Sequence, residues 1–268
     1  MTRLTSDDIK GVPQDEMDLD SRLLSMTGKT VRGIAFEGAG LEDTGQDLSR
    51  FRVAVVPITS GLGVIGGFAA SVDAIVRRLG FDSHVTAGTD VKGFAEAVAD
   101  DVDMVMMADD DMFIAYNTRN GEQTDNAYGT AIGYAVALRN AAGGLEGRDV
   151  LVIGAGFVGG NAVRILRDMG ANVSVTDIVL AKAEAVAERH GVAVLEDVNH
   201  AFSSFDLILN AAPASFPGEL MREGAVISTP GVPHYFDEEG RRKARAIIHD
   251  PLEIGTAVMA VNSIRRLL

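Results

Sequence analysis

The chain has no cysteine. That excludes disulfides, thiolate-held metals and a cysteine nucleophile, and it suits a reducing cytoplasm. Histidine is scarce too. His84, His190, His200, His234 and His249 include no pair four residues apart, so a helical histidine metal site is not expected. No apolar run reaches the ~20 residues that cross a bilayer. The opening Met1-Thr-Arg-Leu-Thr-Ser-Asp-Asp8 has no apolar leader, so a cytoplasmic protein free of membrane is expected. Lysine and arginine together number 24 against 38 acids, and a net charge of −14 argues against a nucleic-acid partner. What the chain does have is length and apolar content. Its 268 residues, 47% hydrophobic, can fill two modest cores.

The densest signal is Asp149-Val-Leu-Val-Ile-Gly-Ala-Gly-Phe-Val-Gly-Gly160. A buried strand, Val150 to Ile153, runs into Gly154-x-Gly156-x-x-Gly159, and a helical pattern follows with Val158, Ala162, Val163, Ile165 and Leu166 on one face. Gly154 permits the tight turn, Gly156 lets backbone approach a pyrophosphate, and Gly159 lets helix and strand pack closely. The next strand, Asn172 to Thr176, ends on Asp177, placed to accept hydrogen bonds from adenosine ribose hydroxyls. A carboxylate there repels a 2′-phosphate, so NAD is expected rather than NADP. Ala155, Phe157 and Val158 complete this cofactor loop. Ala212, Pro213, Thr229, Pro230 and Gly231, at later strand ends, are further cofactor candidates.

Around this unit the pattern is α/β, with two domains facing a cleft. Residues 1 to about 30 read as acidic helix, with Leu4, Ile9, Leu19, Leu23 and Leu24 as packing points, and Gly38 to Gly45 as loop. A parallel βαβαβ unit is predicted next, with strands at Val53–Ile58, Ser83–Thr86 and Met104–Met107 and helices at Phe68–Leu79 and Val91–Val98. A helix follows over Asn126–Ala142. The nucleotide half continues as helix Leu180–His190 and strands Val192–Leu195, Leu207–Asn210 and Ala225–Ser228. Residues 1–142 are expected to form the substrate domain and 143–254 the Rossmann domain. Residues 255–268 are expected to form a helix packed back across their boundary through Val258, Val261, Ile264, Leu267 and Leu268.

The first half has its own G-x-G-x-x-G, at Gly61, Gly63 and Gly66. No carboxylate ends the strand after it, which argues against a second dinucleotide. Thr59, Ser60 and Gly61 offer hydroxyls and N–H groups suited to a substrate carboxylate or amide, while a plain glycine turn stays open. Asp109, Asp110 and Asp111 follow the apolar strand Met104–Met107, at the edge where parallel sheets place ligands. A solvated loop, a magnesium site and an anchor for an amine all remain open from the charges alone.

Several segments are more specific than the glycine fingerprint: Pro57-Ile-Thr-Ser-Gly-Leu-Gly-Val-Ile-Gly66, Phe81-Asp-Ser-His-Val-Thr86, Met107-Ala-Asp-Asp110 with Phe113, Ala115 and Asn117, Ser228-Thr-Pro-Gly-Val-Pro233 and Pro251-Leu-Glu-Ile-Gly-Thr-Ala257. Through these and the nucleotide motif, the chain resembles the dehydrogenase family of pyrrolysine biosynthesis over nearly its whole length. The resemblance implies a substrate, lysine acylated on its side-chain nitrogen by 3-methyl-D-ornithine. It implies NAD as acceptor of hydride from the carbon bearing the ornithine terminal amine. Imine hydrolysis with loss of ammonia and closure by the ornithine α-amine then complete the pyrroline ring. By position, Asp109 matches the family's active-site acid, Ser60 a substrate-contacting serine, and Leu4 a residue of an N-terminal helix that closes over substrate. Asp250 replaces an expected glutamate, Glu253 an expected glycine, and Asn210-Ala-Ala-Pro213 is only loosely alike.

Elementary chemistry gives Asp109 a role as well. An amine must be neutral before its carbon releases hydride, and a carboxylate that holds the ammonium can also take its proton. No metal is required. Alternatives are a shikimate- or alanine-dehydrogenase-like enzyme on another small molecule, or an NAD-binding regulatory module. A homodimer is left open.

Overall fold

The computed structural model describes residues 16–61, 66–232 and 235–268, the side chains from residue 18 onward. Leu4 and Ile9 lie outside the described residues. Helices α1 (Glu16–Thr27) and α2 (Val31–Gly38) lead in, the latter capped by the Thr30 side chain, which accepts the Gly33 N–H. Leu19 and Leu23 of α1 are buried as expected, but Leu24 is 48% exposed, on the helix's outer face.

The first sheet is built from β1 (Arg52–Val56), β2 (Asp82–Val85), β3 (Met104–Ala108), β4 (Phe113–Asn117) and β5 (Gln123–Asp125), in the order β2-β1-β3-β4-β5. Helices α3 (Phe68–Arg78) and α4 (Asp90–Ala99) make the crossovers. The first three strands are parallel, as read from the sequence; β4 and β5 fold back antiparallel. Pro57 lacks the N–H that a ladder needs, so β1 stops at Val56, two residues short of the expected end.

Helix α5 (Asn126–Ala142) is capped by Asp125, whose carboxylate accepts the Tyr128 N–H, and ends on the left-handed Gly143. The second sheet follows: β6 (Asp149–Ile153), α6 (Phe157–Asp168), β7 (Asn172–Thr176), α7 (Leu180–His190), β8 (Ala193–Val194), α8 (Val198–Ser204) and β9 (Leu207–Asn210). Then come β10 (Val226–Ser228), α9 (Glu238–Lys243) and β11 (Ala246–Ile248). Its order, β11-β10-β9-β6-β7-β8, is parallel throughout and reverses direction between β6 and β9, the switch point where doubly wound sheets bind ligands. Strand β8 keeps two of its four expected residues.

The last helix, α10 (Glu253–Ile264), is buried on all sides, with eleven of its twelve residues inside. It lies against α2, α3, β4, β5 and α5. Close approach to α5 depends on glycine: a Cβ on Gly133 would stand 2.6 Å from Ile254, and one on Gly129 2.7 Å from Met259. The Asn117 amide donates to the Ser263 carbonyl, and the Asn262 amide to the Thr124 hydroxyl, fastening α10 to the first sheet. Val258, Val261 and Ile264 are buried, while Leu268 is 36% exposed beyond the helix end.

Candidate active site

One cleft of about 930 Å³ runs between the strand ends of the two sheets. On the nucleotide side, β6 delivers the chain into Gly154 at φ 90°, and a Cβ there would stand 2.9 Å from the Ala212 nitrogen. A Cβ on Gly159 would lie 1.7 Å from the Gly154 carbonyl oxygen, so no side chain fits where α6 crosses the turn. Gly156 is different. A Cβ there meets nothing, because the space beside it is the cleft itself. The start of α6 points its free N–H groups at that space, a setting for phosphate.

Asp177 lies at the end of β7 on the cleft wall. Its Oδ2 accepts the Ala155 N–H at 2.7 Å and its Oδ1 the Val179 N–H at 2.8 Å. A carboxylate offers about four lone-pair sites, so acceptor capacity remains for ribose hydroxyls. Beside it, Phe157 is 80% and Ile178 91% exposed, apolar area that an adenosine could cover. Ala212, Pro213, Pro230 and Gly231 form the facing wall. Thr229 stands behind it, fully buried, with its N–H on Ile248 and its carbonyl 2.7 Å from His249 Nδ1. Ala155 likewise stands outside the lining, its N–H turned to Asp177.

On the other side, Ser60 and Asp109 face the cleft from the exits of β1 and β3. Asp109 also shapes its own turn: Oδ1 accepts the N–H groups of Asp111 and Met112, at 2.9 and 2.8 Å, and the Asp109 N–H returns to the Met112 carbonyl. Thr59 and Gly61 do not line the cleft. The Thr59 N–H and hydroxyl both donate to Asp90, at 2.7 and 2.5 Å. Gly61 sits at φ 69° against Asp110, whose oxygen would be 2.1 Å from a Cβ there.

Sequence reading missed a buried polar cluster at the cleft floor. Asp250 Oδ1 accepts the N–H groups of Leu252 and Glu253, and Oδ2 that of Ile254, so it caps α10. Its own N–H donates to the Tyr134 hydroxyl at 2.9 Å, and that hydroxyl donates to the Asp250 carbonyl at 2.5 Å. Burial first, and then the Asp250 charge, pushes the Tyr134 phenol well up, so it stays protonated. Glu253 pairs with Arg78 of α3 at 2.9 Å, both nearly sealed from water. Burial, with the Asp250 charge second, nevertheless pushes Glu253 up to about 7, outweighing the opposing pull of Arg78. The only sequence signal was the departure of both positions from the expected residues.

The family described as the N-terminal domain of pyrrolysine biosynthesis protein PylD matches residues 8–124. Pyrrolysine synthase of Methanosarcina barkeri is 35% identical over 263 residues, covering 97% of each chain. The chain belongs to the pyrrolysine synthase family. The enzyme of Methanosarcina acetivorans is 34% identical over 97% of this chain and 98% of its own. Membership makes the chain an enzyme of pyrrolysine biosynthesis built on a dehydrogenase fold. The second half, residues 127–233, matches the C-terminal domain of alanine dehydrogenase/PNT, so the two matches meet at the start of α5. Among solved structures, shikimate 5-dehydrogenase from Thermus thermophilus, in complex with NADP(H) and shikimate, is 18% identical with a TM-score of 0.54. It covers 80% of this chain and 92% of its own. Quinate dehydrogenase from Corynebacterium glutamicum, in complex with NAD, is 15% identical with the same TM-score and coverage. These likenesses are of fold. Among the described residues no helix is long and apolar enough to cross a membrane.

Proposed function

We propose that the chain oxidises the terminal amine of lysine acylated by 3-methyl-D-ornithine, with NAD as hydride acceptor, and that ring closure gives pyrrolysine. The observation that carries this reading is the sign of the cleft. Among the described residues its lining holds Asp109, Asp110, Asp111, Asp125, Asp177 and Asp250 but a single cation, Lys182, which lies near Asp177 at the nucleotide end. That substrate has three ammonium groups and one carboxylate, a net charge of about +2 at neutral pH. A cleft of this sign concentrates it and repels a simple carboxylic acid. Such polarity disfavours the competing reading, a dehydrogenase of shikimate-like plan acting on an acid. A regulatory module has no need of this second acidic wall.

The residues fit the cofactor. Gly156 leaves open space where phosphates would lie, Gly154 and Gly159 admit no side chain, and Asp177 would hold the ribose and disfavour a 2′-phosphate. When bound, NAD supplies the hydride acceptor. Asp109 holds the terminal ammonium and takes one of its protons, leaving a nitrogen lone pair that lets the adjacent carbon release hydride. The resulting imine adds water and loses ammonia, and the aldehyde condenses with the α-amine, releasing water. On this reading the unit within residues 1–142 holds the substrate, 143–254 hold NAD, and 255–268, of which 255–264 lie in α10, join them.

Incubation with NAD and the acylated lysine, followed by mass spectrometry, tests the proposal. Formation of NADH with loss of one ammonia per substrate supports it. NADH formed from shikimate or alanine but not from the acylated lysine would overturn it.

A further inference from the structure

Asp90, the first residue of α4, combines an unfavourable backbone with an unusual number of bonds. Its φ is 53°, in the left-handed region that non-glycine residues avoid. Residues persist there only where their surroundings hold them, and such positions gather at functional sites. What holds Asp90 is the loop leaving β1. Its N–H donates to the Pro57 carbonyl at 2.9 Å. Its Oδ1 accepts the Thr59 N–H at 2.7 Å, and its Oδ2 accepts the hydroxyls of Thr59 at 2.5 Å and Thr89 at 3.0 Å. These bonds, led by the Thr59 hydroxyl and with the Ser60 N–H contributing, hold the Asp90 carboxyl below the usual carboxylate range.

The anchor is itself fixed. Behind Asp90, Glu96 accepts the Gly88 N–H at 2.7 Å and the Thr86 hydroxyl donates to the Gly88 carbonyl. Gly93 packs so closely on this turn that a Cβ would be 2.5 Å from the Gly88 carbonyl oxygen. A rigid turn after β2 thus grips the loop after β1 one residue before Ser60, which faces the cleft. Asp90 and Thr59 are not part of the lining.

We infer that Asp90 is a positioning residue for substrate: it fixes the Thr59–Ser60 backbone so that Ser60 meets the acylated amino acid in one orientation. The inference rests on reading Ser60 as a substrate contact. Asp90 touches no reacting atom, so its loss changes substrate capture more than the chemical step.

The test compares Asp90→Gly, Asp90→Asn and Ser60→Ala in the full-length enzyme. Glycine adopts the left-handed backbone freely, so Asp90→Gly removes the clamp without adding strain. Asparagine tolerates the same backbone and keeps an oxygen for the Thr59 N–H. The expected result is a KM for the acylated lysine raised at least tenfold by Asp90→Gly, with kcat changed less than threefold and NAD affinity unchanged. Asp90→Asn restores KM to within threefold of wild type. Hydrogen exchange at the Thr59 and Ser60 amides is faster in Asp90→Gly alone. A raised KM in Ser60→Ala with wild-type KM in Asp90→Gly overturns the inference. If Ser60→Ala leaves KM unchanged, the reading of Ser60 fails. The amide exchange then still judges Asp90, and unchanged exchange in Asp90→Gly overturns its positioning role.

Discussion

The motifs Gly61-x-Gly63-x-x-Gly66 and Gly154-x-Gly156-x-x-Gly159 share a spacing, and the residues beside their first glycines part ways in what holds them. In each, an acid beyond the neighbouring strand reaches back and accepts a loop N–H: Asp177 takes that of Ala155, Asp90 that of Thr59. Asp177 follows β7 directly and faces the cleft with acceptor capacity left over. Asp90 comes five residues after Val85, turns away from the cleft, and gives its oxygens to Thr59 and Thr89. The cofactor turn keeps its acid open to the cleft, while the loop after β1 is tied at Thr59, one residue before Ser60. The same spacing therefore carries no function by itself; the placement of one carboxylate decides.

Four changes would break or sharpen that contrast. The largest effect is expected on the tied side, where the chemistry is proposed to lie. Asp109→Asn should lower turnover about 10²- to 10⁴-fold while NAD binds as before. Turnover near wild type would remove Asp109 from the mechanism.

Next comes the seam joining the two sides. Glu253 is raised to about 7 from an ordinary 4.5, so the folded protein holds a proton that the unfolded chain releases earlier. That contribution to stability is complete below about 4.5 and is lost as pH rises toward 7, a swing of about 3 kcal/mol. Glu253→Gln lacks this slope. Its stability relative to wild type should climb by that amount between pH 4.5 and 8 in denaturant titrations, and parallel curves would refute the assignment.

On the open side, Gly156→Val places a side chain where none is met by protein. The fold should survive, with dinucleotide affinity falling about 100-fold, some 2.7 kcal/mol. Calorimetry showing intact binding would mean the phosphates lie elsewhere. Smallest is the cofactor preference: NAD over NADP by at least about tenfold, or about 1.4 kcal/mol, narrowing in Asp177→Ser. Equal kcat/KM for both cofactors in the wild-type enzyme would discard the ribose argument.

The sequence shows most plainly what is local. Strands β6 and β9 carry continuous apolar runs, β7 alternates polar and apolar residues, and the glycine fingerprint needs only a dozen consecutive residues. Strand β4 is hard to read because Ile114 and Tyr116 blur the apolar–polar alternation of Phe113-Ile-Ala-Tyr-Asn117, although only its alternate residues are buried. Helix α2 carries Gly33 and Gly38, which weaken a helical pattern, and it is held instead by the Thr30 cap and burial against α10. Asp90 is unreadable for another reason: its role needs a left-handed backbone and a partner 31 residues away. The Arg78–Glu253 pair spans 175 residues, and no periodicity links its ends.

The placement of α10 sets an order of events during synthesis. Its twelve residues, 253–264, pack against α2, α3, β4 and β5, elements made some 130 to 220 residues earlier. While the ribosome is still making the nucleotide half, the first half has its strands but lacks the helix that closes its core. Domains made early usually fold first. Here the early half lacks Val258 and Met259 until α10 is made, so its core is expected to close only after the nucleotide half has been synthesised.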